Sequence, residues 1–180
     1  MGASVVAVSR DDRHSFSKPV ADSITLIAGY GIEGDAHAGT TVQHLHLVRT
    51  DPHRPNLRQV HLMEAEFLAE LAGLGHEVQP GQLGENVTTH GIDLLGLPQG
   101  ALLRLGPEAV VEATGLRAPC SQINGLGAGL LKLMVRKNLD GSVTRRAGLM
   151  SIVRTGGVVH PDDPIEIEYP AGDHVPLDFV

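Results

Sequence analysis

Aromatic residues are scarce in this sequence, at 3% of the chain, and lysine is rare, with Lys18, Lys132 and Lys137 set against eleven arginines. The net charge of −7 argues against sequence-independent nucleic-acid binding, which rests on clustered Lys and Arg neutralising phosphates. No nucleic-acid partner is expected. A single cysteine, Cys120, excludes an internal disulfide. No apolar run approaches the roughly 20 residues needed to cross a bilayer, and the apolar stretch near the N-terminus is too short for a secretory signal. A cytoplasmic protein without membrane contact is therefore expected. The chain also lacks an internal repeat, a linker, a ferredoxin-like Cys cluster, a dinucleotide fingerprint and the Gly-Lys-Ser/Thr ending of a P-loop. Any redox chemistry would draw its electrons from a partner.

What is present describes one ordinary domain of 180 residues with 42% apolar content, enough to bury a core without staples. The 22 Gly and 11 Pro imply many turns, hence short strands more than long helices. Short apolar or β-branched runs bounded by Gly, Pro, Asp or Asn predict strands at residues 5–8, 24–28, 58–62, 85–89, 101–105, 109–113, 149–155 and 165–169. Eight such strands predict a mainly β fold, a closed or partly closed β-barrel that removes exposed sheet edges, with a few flanking helices. Helical spacing marks residues 63–72, where Met63, Phe67, Leu68 and Leu71 share a face and Gly73 ends the run. A second helix is predicted at residues 129–137, with Leu130, Leu133 and Met134 on one side.

The chemistry-bearing residues fall in four places. Cys120 ends a predicted strand-to-loop segment three residues after Arg117, which could stabilise a thiolate or hold an anion beside it; the alternative is a buried cysteine acting as a small hydrophobe. In residues 31–39, three glycines surround Glu33, Asp35 and His37. That loop, including Gly34, could wrap a ligand with its amides while Asp35 orients His37, or be a plain turn. His37, His44, His46, His53 and His61 crowd into 25 residues, and on a strand His44 and His46 would share a face as a possible pair of metal ligands. No His-Glu-x-x-His or Cys cluster supports a structural zinc site. Finally Glu85, Asn86, Thr88 and Thr89 follow a Pro-Gly turn. Asn86 could read a heterocycle edge and a threonine could bond a phosphate, or the group could simply cap the turn.

In this order, the stretches GIEGDAHAG, LRQVHLM, PGQLGENVTTHGIDLLGLPQGALLRLG, VVEATGLRAPC and GLMSIVRTGGVV resemble the MOSC family, named for the C-terminal domain of molybdenum cofactor sulfurases. The resemblance covers roughly residues 20–168, and its most specific elements are Gly-Glu-Asn and Gly-x-Arg-x-Pro-Cys. It implies a β-barrel-like domain whose Cys120 is the catalytic residue and metal ligand of a molybdenum-pterin cofactor. Arg117, Gly34, Asp35, His37, Glu85, Asn86 and Thr88 are then the residues expected around that cofactor. In relatives that reduce N-hydroxylated compounds, the matching cysteine binds molybdenum; here the partners implied are a small-molecule substrate and an external electron-donor protein. The other activity implied is sulfur carriage, with Cys120 taking persulfide sulfur from a cysteine desulfurase. The aminotransferase-like domain of the sulfurases has no counterpart in this sequence, so no pyridoxal phosphate is expected.

Overall fold

The computed structural model describes residues 2–180. In chain order the elements are β1 (Ser4–Ser9), β2 (Val20–Ala21), β3 (Ile24–Ile27), β4 (Gly31–Ile32), α1 (Leu45–Thr50), β5 (Val60–Glu64), α2 (Ala65–Gly73), β6 (Val87–His90) and β7 (Leu102–Leu105). Then follow β8 (Ala109–Leu116), a 3-10 turn (Ser121–Gly125), α3 (Leu130–Leu133), β9 (Val135–Lys137), β10 (Val143–Arg145), β11 (Leu149–Thr155), β12 (Gly157–Val159) and β13 (Ile165–Glu168). All eight strands expected from the sequence are present, with ends shifted by up to three residues. The shortest pieces, β2, β4, β9, β10 and β12, are held by tertiary pairing rather than by any local pattern.

Eight strands form one sheet in the order β13-β7-β8-β11-β5-β6-β1-β2, beside a three-stranded sheet β12-β3-β4 and the separate ribbon β10-β9. The mainly β expectation holds, but among the described residues no sheet closes on itself as a continuous ladder, so the closed or partly closed barrel is not confirmed. Its two ends do meet locally: Ser4 bridges Pro164, Val5 N donates to Asp163 O at 2.9 Å, and Ile165 N donates to Ala3 O at 2.9 Å. The far end of the outer edge of β1, at Val8 and Ser9, pairs with β2 instead. No helix is long and apolar enough to cross a membrane among the described residues.

β5 and β6 pair in parallel, and α2 is the crossover that a parallel pair requires. The stripe read from the sequence faces inward: Phe67, Leu68 and Leu71 are buried, together with Met63 on β5. They form a second core with Ile123 of the 3-10 turn, Leu130 and Met134. The predicted second helix is only one turn long. Leu130 and Met134, four residues apart, supply the periodicity, but a single turn is not self-supporting, and β-branched Val135 pairs instead with Arg145 across the β9-β10 ribbon. His44 and His46 lie at the start of α1 rather than on a strand, so the shared-face argument for them does not hold.

Register places the site. Leu149, Leu62, Val87 and Val8 are partners across β11, β5, β6 and β1 and all lie in the main core. One residue along each strand come Met150, His61, Asn86 and Ser9, tied by Asn86 N to His61 O and Ser9 N to Asn86 O, both at 2.8 Å. Because side chains alternate across a sheet, this second row faces away from the main core. Leu71→Ala should lower the unfolding free energy by about 2–5 kcal/mol in urea titration. Leu74→Ala, at a side chain 57% exposed just past α2, should change it by about 0.5 kcal/mol or less.

Candidate functional site

The row His61, Asn86 and Met150 borders a cavity of about 460 Å³ whose wall also carries Lys18, His37, His44, Arg58, Arg117 and Cys120. Of the residues expected from the sequence, Cys120, Arg117, His37 and Asn86 therefore meet in one place. Among the described residues no Asp or Glu lines the cavity. Asp35, Glu85 and Thr88 are buried behind it, and Gly34 is exposed at φ +74° beside Arg10.

The loop at residues 31–39 works by turning one carboxylate inward. Asp35 N donates to Ile32 O at 3.1 Å and Ala38 N to Asp35 O at 3.1 Å, consecutive reverse turns that Gly34, with positive φ, permits. Asp35 then accepts Lys18 Nζ at 2.7 Å and Asn86 Nδ2 at 3.0 Å on Oδ2. Its Oδ1 accepts the backbone N of His37 at 2.9 Å and His37 Nδ1 at 3.2 Å. Burial alone would raise Asp35, but the His37 bond and the Lys18 ion pair hold it well below the usual carboxylate value. His37 Nδ1 is engaged with Asp35, so Nε2 is the ring nitrogen left for a ligand.

Asn86 is the joint between strands. Its Nδ2 also donates to Ser9 O at 3.0 Å, and its Oδ1 accepts His61 N at 3.2 Å. With both amide hydrogens and its oxygen engaged, it frames the cavity rather than offering an edge to a heterocycle. Glu85 Oε1 accepts Gly81 N at 2.7 Å and Thr88 Oγ1 at 3.2 Å, while Oε2 is buried without a partner. Burial pushes this carboxyl up, against the bonds from Gly81 and Thr88.

Arg117 leaves the end of β8 and is half-buried. Its Nη1 donates to Leu83 O, and its guanidinium stands 5.4 Å from the Phe16 ring centre. Gly84 makes room: at φ +85° a Cβ there would come within 2.7 Å of Phe16 O. Cys120, also half-buried, directs Sγ to Gln122 Oε1 at 3.7 Å.

The wall carries excess positive charge with little solvent. Burial pushes Lys18 down despite the Asp35 carboxylate, pushes Arg58 down with help from Arg54 and Arg117, and pushes Arg117 down against the pull of Cys120 and Glu85. His44 is pushed down to about 3 by burial and by the cations around it, and fully buried His61 falls well below its usual value, chiefly through burial. His44 Nδ1 and Arg58 Nε are buried without a hydrogen-bond partner. The charged side chains of the wall that the sequence did not single out are Lys18 and Arg58, and its apolar Phe16 and Met150 were not singled out either. Neither cation has a local signal, since Lys18 is defined by Asp35 seventeen residues later and Arg58 by the cavity itself.

Among the described residues no group of three or more His, Cys, Asp or Glu side chains is gathered to hold a metal ion. A metal at Cys120 would have to arrive with most of its own donors, as a pterin-bound molybdenum does. The donor set fits such a group: a soft sulfur ligand beside cations and orphaned donors suited to an anionic tail.

The sequence pattern of the MOSC domain matches residues 49–166, and the chain belongs to the MOSC domain family, which is associated with molybdenum cofactor sulfurase-like function. That span holds Arg58, His61, Asn86, Arg117 and Cys120, while Lys18, Asp35, His37 and His44 precede it. The YuaD protein from Bacillus subtilis is similar over 94% of this chain and 97% of its own, at 26% identity and a TM-score of 0.74. YiiM from Geobacillus stearothermophilus is similar over 97% of this chain and 79% of its own, at 16% identity and a TM-score of 0.65. YiiM from Escherichia coli shares 20% identity over 95% of this chain and 72% of its own, with a TM-score of 0.59. The two YiiM likenesses concern the fold alone. No curated protein matches the sequence.

Asp35→Asn would leave buried Lys18 without a counter-charge and should destabilise the protein by about 3–5 kcal/mol in urea titration; Asp51→Asn, at an exposed position, should be silent. The histidines give a pH signature. His44 stays neutral in the fold down to about 3, while the unfolded chain takes up the proton near 6.5. Its contribution is full above that value and is lost as the pH falls toward 3. The urea midpoint should therefore fall between about pH 7 and pH 4, less steeply in His44→Gln. Asp35, held low, adds to the loss only below its ordinary value of 3.8.

Proposed function

We propose that the cavity binds a molybdenum-pterin cofactor with Cys120 as the thiolate ligand of the metal, and that the protein reduces N-hydroxylated compounds. The observation that carries this reading is the wall itself: Lys18, Arg58 and Arg117 beside Cys120, with no lining carboxylate among the described residues and with Arg58 Nε and His44 Nδ1 unpartnered. The bound cofactor supplies the centre at which two electrons reach the N–O bond, while the residues of this chain hold, orient and shield. In the overall reaction the N–O bond breaks, and two electrons from an external donor protein with two protons yield the reduced nitrogen and water.

Arg58 and Arg117 offer planar forks of donors to an anionic tail. Lys18, fixed on Asp35, keeps two further N–H donors. His37, anchored through Nδ1, presents Nε2 as the position from which a proton can be delivered. Asn86 borders the cavity with its amide already engaged, and Asp35, Glu85 and Thr88 act from behind, setting where those groups stand. Phe16 and Met150 give the cavity apolar wall that excludes water. Gly34 has no contact role in this arrangement.

Freshly purified protein, expressed with abundant cofactor, should contain molybdenum and show pterin fluorescence. Cys120→Ser should lose the metal while unfolding within about 1 kcal/mol of the parent, because half-buried Sγ faces a polar wall where a hydroxyl finds partners. Elemental analysis and thermal unfolding on one preparation check both. A variant that melts much earlier yet retains molybdenum would make Cys120 a packing residue. A persistent single-sulfur adduct on Cys120 after incubation with a cysteine desulfurase and cysteine, in protein without molybdenum, would assign sulfur carriage instead.

A further inference from the structure

Five of the fourteen Lys and Arg residues fall within residues 132–146, against one acid, Asp140, in a chain of net charge −7. Arg146 is tied to Glu70, with its guanidinium over the Phe67 ring. Lys132, Arg136, Lys137 and Arg145 remain exposed and make no salt bridge. They stand on and beside the β9-β10 ribbon, whose strands pair only with each other.

The register sets Val143 opposite Lys137 and Arg145 opposite Val135, so these four side chains share one face. Both valines are 40% exposed, so that face is partly open to solvent. The tip is ordered by its own polar groups. Asn138 Nδ2 donates to Ser142 Oγ at 2.8 Å and Thr144 Oγ1 at 2.9 Å, and Asp140 Oδ1 accepts Ser142 N at 2.9 Å. Leu139 at its apex is fully exposed. The result is a preformed ribbon that holds aliphatic side chains in water between cations.

The patch is linked to the cavity wall through the end of β8. Arg145 lies over the ring of Phe179 at 5.0 Å, Phe179 is 41% exposed and bridges Leu116, and the next residue, Arg117, donates its backbone N to Gly148 O at 3.0 Å. We propose that the β9-β10 ribbon together with Phe179 is the docking surface for an acidic electron-donor protein that serves the Cys120 cavity. Carboxylates of the partner meet Lys137 and Arg145, and an apolar spot at its centre covers Val143 and Leu139. The partner's role rests on the redox reading above, whereas the surface itself stands on its own geometry. A second copy of the chain packed symmetrically here would set Lys137 and Arg145 against their own counterparts, which like-charge repulsion disfavours. The ribbon also lacks the Trp and Tyr that anchor proteins at a bilayer surface.

The test uses the full chain, 15N-labelled and as purified, titrated with an acidic flavodoxin. At roughly 20 mM salt, amide shifts should concentrate in residues 135–145 and at Phe179, and affinity should fall about tenfold by roughly 200 mM salt. The Lys137→Glu, Arg145→Glu double variant should lose about tenfold or more at low salt with an unchanged melting temperature. Leu139→Ser should weaken binding severalfold and leave the salt dependence intact. Absence of binding at low salt, shifts centred elsewhere, a double variant that binds like the parent, or tighter binding to phosphatidylserine vesicles than to flavodoxin would each overturn the proposal. Ribbon-dependent binding by protein that never takes up molybdenum would uphold the surface and remove the redox reading instead.

Discussion

Four donors converge on the Asp35 carboxylate, which is shielded from water: Lys18 Nζ, Asn86 Nδ2, His37 N and His37 Nδ1. A carboxylate taken out of water persists as an anion only when its oxygens are bonded and its charge is opposed. Meeting that demand fixes the Lys18 loop, the glycine-rich loop and the start of β6 relative to one another. Through Asn86 the constraint continues to Ser9 on β1 and to His61 on β5. The cavity wall is the outer side of this network. Lys18 and His37 stand where they do because Asp35 holds them from behind.

That arrangement separates charge by depth. Asp35 and Glu85 lie behind the wall, while Lys18, Arg58 and Arg117 face the cavity, and His44 and His61 among them are held neutral by burial and by the cations nearby. Desolvated cations without a facing counter-charge favour an anionic ligand, since each is more weakly solvated than in water and none is matched across the cavity. The cysteine stands in the same field, where a thiolate is better tolerated than in an apolar setting. The ribbon at residues 135–145 repeats the theme on the outside, with exposed cations on a chain that is otherwise acidic.

The second core has a different task. Phe67, Leu68 and Leu71 of α2 pack with Ile123, Leu130 and Met134, and Ile123 lies three residues after Cys120. The segment carrying the cysteine is therefore clamped by apolar contacts that do not line the cavity's charged wall. Stability on that side and chemistry on the other share a short stretch of chain and the Phe16 ring, which packs on the second core and also lines the cavity.

Much of the fold was legible from residues 5–8 onward because alternating apolar patterns and turn residues are local signals, and the stripe of α2 is equally local. Gly-Glu-Asn and Gly-x-Arg-x-Pro-Cys are likewise local signals of the MOSC family, and they contain Asn86, Arg117 and Cys120. The sequence could not say that the sheet stops short of closing, because occupation of the β1 edge by β2 is a non-local choice. It could not say that residues 135–137 leave their helical period, since pairing with residues 143–145 outweighs one turn of helix. Nor could it show that Glu85 and Thr88 face inward while Lys18 and Arg58 line the wall. Residue type sets what a side chain can bond, but which face of the sheet it occupies follows from register across four strands. That register is decided only when the whole core is buried.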